Sequence, residues 1–203
     1  MAVELVKGED GVSRCWWATS TPAYAAYHDQ EWGRPTADDR WLFEKICLEG
    51  FQAGLSWLTI LNKRERFREV FADFEIDRVA RFDRRSVERL MKDVGIVRNR
   101  KKIESTIHNA KRARELRAEL GSLAAFVWQF EAPPRKRVEL VSQSAESVAL
   151  SKALKKRGWS FVGPTTLYAF LQAAGVVNDH LPGCAARQGC LDERARFEPP
   201  RPR

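Results

Sequence analysis

Apolar residues recur at three- and four-residue spacing along most of this chain, as in Leu167, Phe170, Leu171 and Ala174, and no segment alternates convincingly enough for a half-buried strand. The pattern predicts a mostly α-helical protein. Helices are expected over residues 38–53, 57–71, 86–93, 99–120, 122–130, 145–157 and 165–174. Ser122, Ser144 and Thr165 stand where N-caps belong, and Gly121, Gly158 and Gly175 where left-handed C-terminal residues belong. The stretch "APPRKR" at 132–137 is the clearest interior break, and the polar, proline-rich end "RFEPPRPR" reads as a tail without a packed core. No internal repeat is present.

One polar residue breaks the pattern. In "WLFEKICLEGFQAG", residues 41–54, the apolar stripe runs through Leu42, Phe43, Ile46, Cys47 and Gly50. Glu49 lies seven residues beyond Leu42, about 20° short of two full helical turns, which turns it into the stripe. A buried carboxylate needs a partner. That partner is either a helix terminus or a Lys such as Lys45, or else a ligand carrying N–H groups or positive charge. Trp16, Trp17, Tyr24, Tyr27 and Trp32 precede this helix and Trp57 follows it. They are ordinary core on one reading; on the other they form an aromatic box, which with one carboxylate suits a flat cation.

At 203 residues the chain can fold as one generous domain or two small lobes. No run approaches the roughly eighteen apolar residues of a membrane span, and the N-terminus lacks a signal-peptide core, so a cytosolic protein is expected. In that compartment four Cys point to metal ligation or burial, not to disulfides. Lys and Arg total 35 against 27 Asp and Glu, a formal charge of +8, which suits either a polyanionic partner or a solvated surface. The basic residues cluster at Arg98, Arg100, Lys101 and Lys102, and again at Lys152, Lys155, Lys156 and Arg157, beside expected helix ends where backbone amides also bind phosphate. In "LMKDVGIVRNRKKI", residues 90–103, one helix ends near Asp93, Gly95 sits between Val94 and Ile96, and another helix starts near Asn99. This is the layout of a helix-hairpin-helix, although any αα-hairpin can carry a central Gly.

The chain has three His and four Cys. His180 and Cys184 stand together in "VNDHLPGC", and Cys15 and His28 bracket "CWWATSTPAYAAYH" at the other end. Two Cys and two His make a complete tetrahedral zinc set that would tie the ends of the domain together. Buried thiols and ordinary polar His are the alternative.

Four stretches in order, "YHDQEWG", "FEKICLEGFQAGLSW", "SKALKKRGWSFVG" and "QAAGVVNDHLPGC", resemble the bacterial 3-methyladenine DNA glycosylase I family of the helix-hairpin-helix superfamily. The likeness extends from Cys15 to Cys184. It implies an all-α, two-lobed fold with the helix-hairpin-helix at about 86–115, a fourteen-residue N-terminal extension and a flexible tail over 185–203. It implies one structural zinc on Cys15, His28, His180 and Cys184, with no position left for a catalytic water. It implies a base flipped from double-stranded DNA into the aromatic pocket, with Glu49 reading the adenine edge, Tyr27 and Trp57 stacking, and Trp17, Tyr24 and Trp32 forming the wall. Leu55 is the side chain expected to fill the gap in the DNA, with Gly54 letting the backbone approach. Gly95, Arg100, Lys101, Lys102, Lys152 and Lys156 are the expected backbone contacts. Superfamily relatives place an Asp about twenty residues past the hairpin, yet no Asp occurs here between Asp93 and Asp179. Charge stabilisation of a cationic, readily lost base by Glu49, with water attacking the sugar, is the mechanism that remains. A monomer in the bacterial cytosol, bound to DNA carrying alkylated adenine, is the expected form.

Overall fold

The structure, a computed structural model, describes residues 4–131, 138 and 141–203, so the expected break at 132–137 lies outside the described residues. A small antiparallel hairpin, β1 (Leu5–Lys7) and β2 (Ser13–Cys15), opens the chain. No strand was expected from the pattern, because three-residue strands are too short to carry a period. A 3-10 turn at Trp16–Thr19 leads to α1 (Pro22–Gln30), capped by Thr21 with Pro22 in its first turn. The sequence pattern missed this helix: aromatic and apolar residues fall on more than one of its faces.

The centre of the molecule is α2 (Asp39–Gln52), whose residues Leu42 to Phe51 are all buried. It is enclosed, with no solvent face along that length, which is why Glu44 and Lys45 are buried beside the apolar stripe. The helix expected over 57–71 is two, α3 (Trp57–Leu61) and α4 (Arg64–Val70), with Asn62 ending the first. Phe71 and Phe74 bracket a left-handed turn at Ala72 to Phe74, and their rings stack at 5.4 Å in a core shared with Phe43, Phe51 and Phe67.

Then follow α5 (Ile76–Val79), α6 (Arg84–Lys92) and the long α7 (Arg100–Leu120), which starts on its Asn99 cap. In the turn between α6 and α7, Ile96 is buried, whereas Val94 is 73% exposed. The two do not anchor the turn as a pair. The Gly95 N–H donates to Asp93 Oδ1 at 2.8 Å.

Ser122 caps α8 (Leu123–Val127) and Ser144 caps α9 (Ala145–Lys156), as expected. In α10 (Pro164–Ala173) the cap is Gly163 and not Thr165, because Pro164 takes the first helical position. Gly121, Gly158 and Gly175 are left-handed, as their positions past helix ends require. α10 packs on α9 and on α2.

Residues 185–196, expected within a flexible tail, form α11 (Ala185–Arg196), which packs against α1 and β2. Beyond it, the Phe197 ring lies 4.7 Å from Trp128, and Arg203 N–H donates to Leu120 O at 3.3 Å. The two ends of the chain meet around a second, small core of Cys15, Leu181, Cys184 and Ala186.

Candidate active site and metal centre

That small core holds the four expected ligands. Cys15, His28, His180 and Cys184 are buried and their ligand atoms lie within 4.8 Å of one another. Cys184 Sγ is 3.4 Å from His28 Nε2 and 3.4 Å from His180 Nδ1, and Cys15 Sγ is 3.9 Å from His180 Nδ1. A tetrahedron with metal–sulfur bonds of about 2.3 Å and metal–nitrogen bonds of about 2.0 Å has sulfur–nitrogen edges near ~3.5 Å. The donor set can therefore hold zinc. The nitrogens left over are also engaged: His28 Nδ1 meets Asp29 Oδ1 at 2.8 Å, and His180 Nε2 meets Trp32 O at 3.0 Å. Such outer contacts fix the ring orientations a metal needs. Arg14, on β2, closes the arrangement by donating to Asp29 at 2.7 Å and to Asp10 at 2.7 Å.

Hydrogen bonds with Cys15, His180 and His28 hold the Cys184 thiol well below its ordinary range, while the shared bond and burial push Cys15 up. Gly33, left-handed in the "EWG" turn, leaves room for His180: a Cβ there would stand 3.0 Å from the imidazole. Cys190 is buried nearby but outside the cluster, and Cys47 is core.

Directly beside the cluster is a cavity of about 350 Å³, walled by Trp16, Trp17, Tyr24, Tyr27, Trp32 and Trp57, with Glu49, Gln52, Gln172 and Asp179 supplying polar groups. Trp17 is the keystone of the wall. Its ring lies 5.0 Å from Tyr24, 5.0 Å from Trp32 and 5.1 Å from His28, so the ligand cluster and the cavity share a partition. Tyr27 and Trp57 are in tilted contact, with ring centroids 5.4 Å apart and planes at 43°. All five expected aromatic residues and Glu49 are thus brought to one cavity.

Glu49 is 5% exposed, and it is paired with Lys45, one turn away, at 2.8 Å. Lys45 also donates to Tyr27 Oη at 2.6 Å and lies 3.1 Å from the centroid of the Trp57 ring. Burial raises the Glu49 carboxyl above its ordinary value and lowers the Lys45 ammonium below its own, and the contact between them opposes both shifts. The residue pattern named Lys45 only as a partner for Glu49. Its contact with both Tyr27 and Trp57 was not foreseen.

Asp179 was missed as well. It lines the cavity and accepts from Tyr168 Oη and, at 2.9 Å, from Gln172 Nε2. The signal available was its place immediately before His180, one of the four clustered Cys and His residues.

The methyladenine glycosylase family model matches residues 17–188 of this chain. The chain belongs to the methyladenine glycosylase family. DNA-3-methyladenine glycosylase 1 of Escherichia coli is 46% identical over 184 residues, covering 88% of this chain and 98% of that protein. A DNA-3-methyladenine glycosylase of Haemophilus influenzae is 42% identical over 183 residues, covering 86% of this chain and 98% of its own. Among solved structures, one 3-methyladenine DNA glycosylase I superposes with a TM-score of 0.81 at 46% identity, covering 86% of this chain and 99% of the other. Another, from Staphylococcus aureus and described as the structural basis of 3-methyladenine recognition, gives a TM-score of 0.82 at 37% identity, covering 86% and 96%. The chain is a glycosylase. Cys15 stands just before the span matched by the methyladenine glycosylase model, and the other three ligand residues stand within it.

Of the residues expected to contact DNA, Gly54 and Leu55 follow the end of α2. Leu55 is 44% exposed, and Gly54 is left-handed with open space where a Cβ would point. Lys101, Lys152 and Lys156 are exposed. Arg100 is exposed and paired with Glu88 at 3.0 Å. Lys102 is not a free cation: it is buried, donating to Phe51 O at 2.8 Å and Ala53 O at 2.6 Å, where it closes the C-terminal end of α2. Gly95 has its amide committed to Asp93 instead of presenting it outward. No helix among the described residues is long and apolar enough to cross a membrane.

Proposed function

We propose that this chain excises 3-methyladenine from alkylated double-stranded DNA, hydrolysing the N-glycosidic bond to release the free base and leave an abasic site for base-excision repair. The observation that carries the reading is the aromatic cavity with Glu49 in its wall and an exposed Leu55 just beyond α2. A base rotated out of the duplex enters this cavity, Leu55 fills the space it leaves, and Gly54 lets the backbone come close. α6, the turn around Gly95 and α7 act as the helix-hairpin-helix between the two lobes, and Lys101, Lys152, Lys156 and Arg100 contact phosphates. The protein works as a monomer in the bacterial cytosol.

3-Methyladenine bonded to deoxyribose is a cation. Tyr27 and Trp57, in tilted contact with each other, offer it an aromatic surface on which to stack, and the ionised Glu49 accepts from the adenine edge. A carboxylate about 4 Å from the positive charge contributes a few kcal/mol at an effective dielectric of ~20, which neutral adenine forfeits. The glycosidic bond to such a base is already weak, so holding the cation against Glu49 while the bond lengthens, with water attacking the sugar carbon, accounts for the rate without a strong base. Zinc bound to Cys15, His28, His180 and Cys184 would have all four positions filled by protein and would supply structure, joining α1 and β2 to the segment before α11. Asp29 and the Trp32 carbonyl orient its two His.

The test is single-turnover release of free 3-methyladenine from methylated duplex DNA by wild type and Glu49→Gln. Release by wild type with a loss of roughly 100-fold or more in the variant is expected, from removal of about 3 kcal/mol of charge stabilisation. Equal rates would sink the assigned role of Glu49 while leaving the glycosylase in place.

A further inference from the structure

The pocket carries a cation of its own. Lys45 is buried, and its ammonium touches the three groups assigned above to the base: Glu49 Oε1 at 2.8 Å, Tyr27 Oη at 2.6 Å and the Trp57 ring at 3.1 Å from its centroid. It is not among the residues that line the cavity; it lies against Glu49, Tyr27 and Trp57, which do. An exposed pair one helical turn apart contributes little, because water screens it. This pair is different because both side chains are out of water, at 3% and 4% exposure. A carboxyl alone in that setting takes up a proton instead of bearing charge. Protonated, Glu49 would bring no charge to a methylated base.

Resting on the glycosylase reading above, we propose that Lys45 is a positioning residue for the reaction: it holds Glu49 as a carboxylate at the cavity wall and ties Tyr27 and Trp57 to the same point. The three contacts form one unit, so the charge that selects the base and the rings that cover it are set together.

Other groups do not supply this charge balance. On α1, Tyr24 and Tyr27 are raised by burial and stay neutral, and Glu31 is paired at 2.7 Å with Arg64 of α4, so each offsets the other. Asp179, also on the cavity wall, accepts from Tyr168 and Gln172. Among the described residues, Lys45 is the cation in contact with Glu49.

The experiment uses the full, zinc-loaded chain, comparing wild type with Lys45→Met and Lys45→Gln. Lys45→Gln keeps a donor for Tyr27 and loses the charge, which guards against Lys45→Met failing to fold. Single-turnover release of 3-methyladenine is followed against pH, and the Glu49 carboxyl is titrated by carbon NMR, its resonance assigned with Glu49→Gln. Removing an opposite charge at contact distance frees the burial effect, so the acidic limb of the rate profile and the Glu49 titration should both move up by about one to three pH units in the variants. Activity lost equally at every pH, with the Glu49 titration unmoved, overturns the proposal and leaves Lys45 a packing residue. Absence of 3-methyladenine release by wild type overturns the glycosylase reading instead, and the NMR titration still decides the role of Lys45.

Discussion

Lys102→Met separates two roles for one residue. Basic clustering at the start of α7 points Lys102 at DNA, yet its ammonium donates to Phe51 O at 2.8 Å and Ala53 O at 2.6 Å. The last carbonyls of a helix have no partner within it, and they carry the negative end of its dipole. Hydrogen bonds to a charged group contribute about 1.5–3 kcal/mol each, so losing two at the lower end costs about 3 kcal/mol. Met fills the volume without replacing either bond. For a chain of this size each kcal/mol lowers Tm by about 2–4 °C, giving a fall of about 6–12 °C by calorimetry. In the same preparation, the slope of log Kd for duplex DNA against log salt should stay within experimental scatter of wild type. Lys101→Met, on the exposed side, should reduce that slope by about 1 with little change in Tm. A Lys102→Met variant with unchanged Tm and a slope reduced by about 1 would refute the reasoning and restore Lys102 as a phosphate contact.

Three further outcomes are expected. Asp29→Asn, which weakens the carboxylate contact on His28, should lower zinc affinity about 10- to 100-fold in competition with a chromophoric chelator, with the fold retained when zinc is in excess. Phe71→Ala, at a fully buried ring stacked on Phe74, should cost about 3–5 kcal/mol in urea unfolding without altering the pH profile of base release. Leu55→Ala should slow excision from duplex DNA while leaving binding of free 3-methyladenine, measured by calorimetry, within twofold of wild type, at about 0.4 kcal/mol or less; equal losses in both would place Leu55 in the pocket instead of against the DNA.

The residues that carry the site were readable from the sequence where chemistry is local. Glu49 betrays itself by sitting on the apolar stripe of α2, and the Cys and His pairs by their scarcity, since only three His occur in the chain. Periodicity failed where tertiary contact decides. The hairpin β1–β2 exists through its neighbours: Leu5 packs where a Cβ on Gly183 would come within 2.8 Å of its Cδ1. α11 begins directly after Cys184 and packs on α1, so its formation depends on the chain ends meeting. The placement of Lys45 and Lys102 was hidden for the same reason. Charged residues read as solvent-facing until a second helix covers them, and α2 is covered on every side through its middle, by α3, α7, α8 and α10.

The most direct measurement is chromatographic detection of free bases released by the wild-type protein from methylated duplex DNA, with alkali cleavage of the strand read in parallel. The account predicts free 3-methyladenine appearing in equal amount with alkali-labile sites, and no release of unmodified adenine. Tight binding to the methylated duplex with no base released, by folded protein with its zinc bound, would contradict it.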